Sequence, residues 1–109
     1  AAFQPHLFSR TRDFAEDFGA ALAGADSVWV TDVFPARERP IPGITGKTVV
    51  EAVGKAGGEH TRYVAALDDL PDLLAEELRA GDVLMTLGAG SIETVGTQVL
   101  NQLGERVHA

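Results

Sequence analysis

The chain has no cysteine, which removes disulfides, thiolate metal sites and thiol nucleophiles together. Its single methionine is Met85, and it opens on Ala1-Ala2-Phe3 rather than on a start residue. It therefore reads as a piece of a longer protein, cut inside or just before a strand. No apolar run approaches the roughly 20 residues a membrane helix needs, and no signal peptide is visible. There is no surplus of basic residues either. Nine lysines and arginines stand against 16 acidic residues, a net charge of −7. That balance leaves no footprint for nucleic acid or an anionic membrane. Internal repeats and low-complexity segments are also missing. The expectation is a soluble cytoplasmic domain, and 109 residues leave room for one, with a modest core.

What is present is an alternation of strand and helix signals. Ala1-Ala2-Phe3 has the apolar character of a buried strand, broken by Pro5, which has no N–H for a ladder. The spacing of Phe14, Phe18, Ala21 and Leu22 predicts a helix over 11–23, with Thr11 as its cap, Asp13 in its first turn and Gly24 as its stop. A β-branched and aromatic run predicts a strand over 27–31. Pro35, Pro40, Pro42, Gly43 and Gly46 then enforce a long exposed loop over 34–46. A helix is predicted over 47–56 with Val49, Val50 and Val53 inward, followed by a strand over 62–65. Asp68 or Asp69 is placed to cap a third helix carrying Pro71 in its first turn and Leu73, Leu74 and Leu78 on one face. The apolar run 83–87 has the look of a central parallel strand, and Ile92, Val95, Val99 and Leu103 mark a last helix over 91–103. Such alternation predicts an α/β, Rossmann-like open sheet, mainly parallel, with helices on both faces in three layers.

The chemistry concentrates at one junction. His6, Arg10 and Arg12 fall within a span of seven residues just after the first strand, and in open α/β sheets that edge is where ligands bind. So local a cationic cluster suits a small anionic ligand better than a polymer. Arg10 offers a rigid bidentate fork for a carboxylate, and as a plain surface arginine it would sit mildly against the helix dipole. Arg12 has Asp13 and Glu16 as possible ion-pair partners. His6 is either a ligand contact or a polar loop residue. Gly88-Ala89-Gly90-Ser91 lies between a strand and a helix, where it either presents amides to an anion or lets the two elements approach closely. Gly43-Ile44-Thr45-Gly46-Lys47-Thr48 matches the end of a phosphate-binding loop. However, the full pattern wants glycine where Ile41 stands, and Arg39-Pro40-Ile41-Pro42 cannot be the strand from which such a loop springs. Thr45 as a helix cap is the better reading.

Phe3-Gln4-Pro5-His6, followed by Ser9-Arg10-Thr11-Arg12-Asp13, resembles the signature that opens the C-terminal domain of the Mur ligases, in the branch that adds the first amino acid. Two further stretches agree in order and spacing: Asp32-Val33-Phe34-Pro35-Ala36-Arg37-Glu38 with Pro40-Ile41-Pro42-Gly43, and Leu87-Gly88-Ala89-Gly90. The resemblance spans nearly the whole chain. It implies ATP-dependent joining of L-alanine to UDP-N-acetylmuramate through an acyl phosphate, in peptidoglycan precursor synthesis. It also implies that ATP and Mg²⁺ are held mainly by a central domain, and that the N-terminal and central domains of the same chain are its partners. On this basis Arg10, His6 and Arg12 bind L-alanine, while Gly88, Ala89, Gly90 and Ser91 meet nucleotide or the closing domains. Asp32, Arg37 and Glu38 form an interdomain loop, and no residue of the chain is itself catalytic or a metal ligand. The family carries arginine where this chain has Leu7 and aspartate where it has Ser91. The chain also begins downstream of the family's histidine-rich motif, so the isolated piece is expected to fold without turning over. A flavodoxin-like or receiver-like binding module accounts for the α/β alternation equally well, but not for the three matching stretches.

Overall fold

The computed structural model describes the backbone of residues 1–108 and side chains through residue 104. Four strands, β1 (Ala2–Phe3), β2 (Val28–Thr31), β3 (Thr61–Val64) and β4 (Thr86–Leu87), form one sheet in the order β3-β2-β1-β4. Every pairing is parallel. The helices are α1 (Phe8–Leu22), α2 (Gly46–Lys55), α3 (Leu70–Glu77) and α4 (Val95–His108). Short 3-10 turns, Leu67–Asp69 and Ser91–Thr94, lead into α3 and α4.

The period of two along each strand divides the core into two layers. Val28 and Val30 join Leu22, Val49 and Val53 beneath α1 and α2. Trp29 and Ala2 point the other way and join Leu70, Leu74, Ile92, Val95 and Val99 beneath α3 and α4. The sheet is thus covered on both faces, as the alternation predicts, and β2 is buried along its whole length.

Three local expectations are corrected. α1 starts three residues before Thr11, so Asp13 is not in its first turn and Thr11 is not its cap. Thr11 is buried and instead donates its hydroxyl back to the Leu7 carbonyl at 2.7 Å. The buried face of α1 is Thr11, Ala15, Gly19 and Leu22, while Phe14 is 50% exposed and Ala21 faces out. Close packing explains the rotation: a Cβ on Gly19 would lie 2.5 Å from the Ala52 carbonyl carbon, so the small residues let α1 lie directly on α2. Phe18 remains at the margin, 5.1 Å from the Phe3 ring.

Neither Asp68 nor Asp69 caps α3 with its side chain. The 3-10 turn brings Asp69 in with helical dihedrals, whereas a capping side chain needs an extended backbone. The inward leucines of α3 are Leu70 and Leu74, with Leu73 left partly exposed.

β4 is a two-residue edge strand, not a central one. β1 offers only two paired residues, and the bond from the Ala2 amide to the Met85 carbonyl (2.9 Å) is the last rung. Val83 and Met85 lie outside the paired strand and are 84% and 57% exposed.

Candidate functional site at the carboxyl edge of the sheet

Because all strands run parallel, the segments leaving β1, β2 and β4 emerge on one edge. The handover from β1 to α1 is tightly held. Leu7 sits at φ 68° and ψ 136°, a region a bulky side chain adopts only at a cost on the order of 1–3 kcal/mol. Its surroundings enforce that conformation. The Leu7 amide donates to the Phe34 carbonyl (2.9 Å), the Phe34 amide donates to the Pro5 carbonyl (2.8 Å), and the Leu7 carbonyl accepts both the amide and the hydroxyl of Thr11.

His6 and Arg10 flank this strained residue and are brought together. The His6 ring stacks on Phe34, with centroids 5.8 Å apart and planes at 15°. Arg10 Nη1 lies 3.5 Å from His6 Nδ1, a long contact, and Arg10 is exposed. No ion pair among the described residues involves Arg10. Arg12 differs. Two positions along a helix, it faces away from Arg10, and its Nε bonds the Asp13 carboxylate at 2.8 Å. That bond lowers the Asp13 carboxyl below its ordinary range and raises the Arg12 guanidinium further.

Asp32 and Glu38, expected to contact other domains, both cap helices within the chain. Asp32 Oδ1 accepts the amides of Val33 (3.0 Å) and Gly46 (3.1 Å), the latter at the start of α2. Thr45 and Thr48 complete that terminus with reciprocal bonds, as the capping reading of this string predicts. A Cβ on Gly46 would run into the Thr31 carbonyl, so this glycine is needed for helix and strand to approach. Burial, and then the charge and hydrogen bond of Asp32, push the Tyr63 phenol up. Glu38 accepts the Ser9 amide at 2.8 Å and the Ser9 hydroxyl at a shorter distance, and caps α1. Arg37 is exposed.

The 88–91 segment closes the edge from the β4 side. Gly88 has φ 155°, and a Cβ there would lie 2.7 Å from Ile92 Cγ2 and 3.1 Å from the Gln4 carbonyl. On Gly90 it would lie 2.9 Å from Gln4 Oε1 and 3.3 Å from the Phe34 ring. Buried Gln4 accepts the Ile92 amide at 3.3 Å. Ser91 is exposed and its carbonyl accepts the Thr94 hydroxyl.

Sequence reading missed two residues here. Phe34 joins the three segments, with its backbone on Pro5 and Leu7 and its ring between His6 and Gly90. Gln4 seals the turn beneath them. An amide side chain between an apolar strand and a proline was a signal for Gln4; nothing local pointed to Phe34.

Among the described residues no three His, Cys, Asp or Glu side chains cluster as a metal requires, and the Gly46 amide is already taken by Asp32. A cleft of about 520 Å³ lies at the other end of the strands, between Ala1, Ser27, Trp29 and residues 81–85. Its lining includes Asp26, Asp82 and Glu77, the last ion-paired with Arg62.

Residues 3–90 match the family described as "Mur ligase, glutamate ligase domain", and the chain belongs to that family. Among its relatives, the UDP-N-acetylmuramate–L-alanine ligase of Cutibacterium acnes is 58% identical over 103 residues, which cover 94% of this chain and 22% of that protein. Proteins of the same name from Kineococcus radiotolerans and Pelodictyon phaeoclathratiforme are 52% and 47% identical, across 95% and 98% of the chain. The chain thus spans about a fifth of the length of these relatives. No helix among the described residues is long and apolar enough to cross a membrane.

Proposed function

We propose that residues 1–109 form the C-terminal, amino-acid-presenting domain of a cytoplasmic ligase that joins L-alanine to UDP-N-acetylmuramate. The observation that carries this reading is Arg10: an exposed guanidinium with no ion pair among the described residues, beside His6, at the ligand edge of a chain so similar to ligases named for that reaction. The planar fork of Arg10 receives the alanine carboxylate in two parallel bonds. His6, fixed flat against Phe34, orients the amine end. Arg12 is the weaker contributor, since Asp13 already holds it.

On this reading ATP and Mg²⁺ are held mainly by the central domain of the complete chain. The 88–91 segment and the exposed Arg37 then face the preceding domains on closure. This domain contributes positioning, worth on the order of 7 kcal/mol or more in ideal cases. Closing over the reacting groups also excludes water that would hydrolyse an activated acid.

The test is alanine-dependent phosphate release by the complete enzyme chain, wild type against Arg10→Ala, with ATP, Mg²⁺ and UDP-N-acetylmuramate supplied. Losing a charged hydrogen-bond partner should raise the apparent alanine KM about ten- to a hundredfold. Normal alanine kinetics in the variant would move the amino-acid site elsewhere.

A further inference from the structure

Helix α1 begins without a local cap. Leu7 precedes it in a strained conformation, and no side chain at that position accepts its first amides. The acceptor comes from Glu38, 29 residues along the chain from Ser9. Both carboxylate oxygens are used, one on the Ser9 amide and the other on the Ser9 hydroxyl. Ser9 is the immediate neighbour of Arg10.

The route by which Glu38 reaches α1 runs through the residues of the candidate site. Phe34 is fixed to Pro5 and Leu7 by its backbone and to His6 by its ring. The chain then turns, with Ala36 at φ 53° and the Glu38 amide on the Pro35 carbonyl at 2.8 Å, and the Glu38 carboxylate lands on Ser9. Residues 34–38 are therefore clamped against residues 5–9 at both ends. Beyond Glu38, the only backbone bond made within the loop before α2 begins is Ile44 to Ile41. No ion pair joins Glu38 to Arg10, so the carboxylate satisfies the positive helix end and leaves the guanidinium available.

We propose that Glu38 is a positioning residue for the amino-acid site. By capping α1 across the loop, it holds Arg10 and the His6–Phe34 stack in the arrangement that receives a small carboxylate. The proposal rests on the function proposed above. It assigns Glu38 a role inside the domain rather than as an interdomain contact.

The experiment uses the complete enzyme chain with Glu38→Ala, Glu38→Gln and the double variant Glu38→Ala/Arg10→Ala. The expected result for Glu38→Ala is an alanine KM raised about tenfold, with kcat and the KM for ATP within about twofold of wild type. Glu38→Gln keeps an acceptor for Ser9 and should show a smaller rise; it also covers the case in which the alanine variant fails to fold. The double variant should lose less than the sum of the two single variants, because Glu38 acts in part through Arg10. An unchanged alanine KM in Glu38→Ala would overturn the proposal. So would additivity with Arg10→Ala, or equal changes in kcat and in the KM for ATP, since a general loss of structure produces those. A wild-type enzyme without alanine-dependent turnover would instead defeat the underlying function, and this proposal with it.

Discussion

Glu38 shows at the scale of one residue how a loop carboxylate becomes structural. The Ser9 hydroxyl, more than any other neighbour, holds its carboxyl below the ordinary value near 4.5. A depressed folded-state pKa means that the stabilising contribution is complete above that ordinary value and is lost as pH falls through the lower, folded one. The Ser9 amide resonance should therefore titrate with a midpoint below 4.5, and Glu38→Gln should abolish the titration. A Ser9 resonance that is flat in the wild type across this range would show that the carboxylate is not its acceptor. Thr11 makes a similar point without charge. A residue type that usually caps helices is buried one turn inside α1, where its hydroxyl and its amide share a single carbonyl.

Between elements, the α1–α2 contact depends on a residue with no side chain. A Cβ on Gly19 meets Ala52 at its carbonyl carbon (2.5 Å), carbonyl oxygen (2.6 Å) and Cβ (2.7 Å). Gly19→Ala should lower stability by about 1–3 kcal/mol, read as a lower urea midpoint with unchanged slope. Adding Ala52→Gly should not restore it, because two of the three obstructing atoms are backbone. Gly54 provides the contrast. It lies in α2 with no atom within 4 Å of an added Cβ, so Gly54→Ala should stabilise by roughly 0.5–1 kcal/mol from helix propensity alone. Equal effects at the two glycines would remove close packing as the reason for Gly19.

For the molecule as a whole, the strand polarity separates two ends of unlike character. The carboxyl edge carries His6, Arg10 and Arg12, while the opposite cleft is lined by Asp26, Glu77 and Asp82 in a chain of net charge −7. No three His, Cys, Asp or Glu side chains cluster as metal ligands among the described residues, and the chain spans about a fifth of the length of its relatives. The 109-residue chain alone, given ATP, Mg²⁺, L-alanine and UDP-N-acetylmuramate, should release no phosphate above a control without protein. Release above that control would mean that chemistry resides in this domain.

The order and type of the elements were determined by the sequence itself. β-branched runs, a period near 3.6 and glycine or proline breaks are local signals, and they mark every strand and helix here to within a few residues. The Thr45 cap was legible for the same reason, its partner Thr48 being three residues away. So was the gathering of His6 and Arg10 at a strand end, because both follow one short strand. The tertiary structure decided the rest. Which stripe of α1 turns inward depended on how closely α2 could approach, so the small residues displaced Phe14 from the buried face. The place of β4 at the edge of the sheet depended on the strand order, which an apolar run does not reveal. The cap of α1 came from Glu38 and the stacking partner of His6 from Phe34, each nearly thirty residues away. No local pattern encodes such pairings, because the bonds form only once the sheet has brought the two strand ends together.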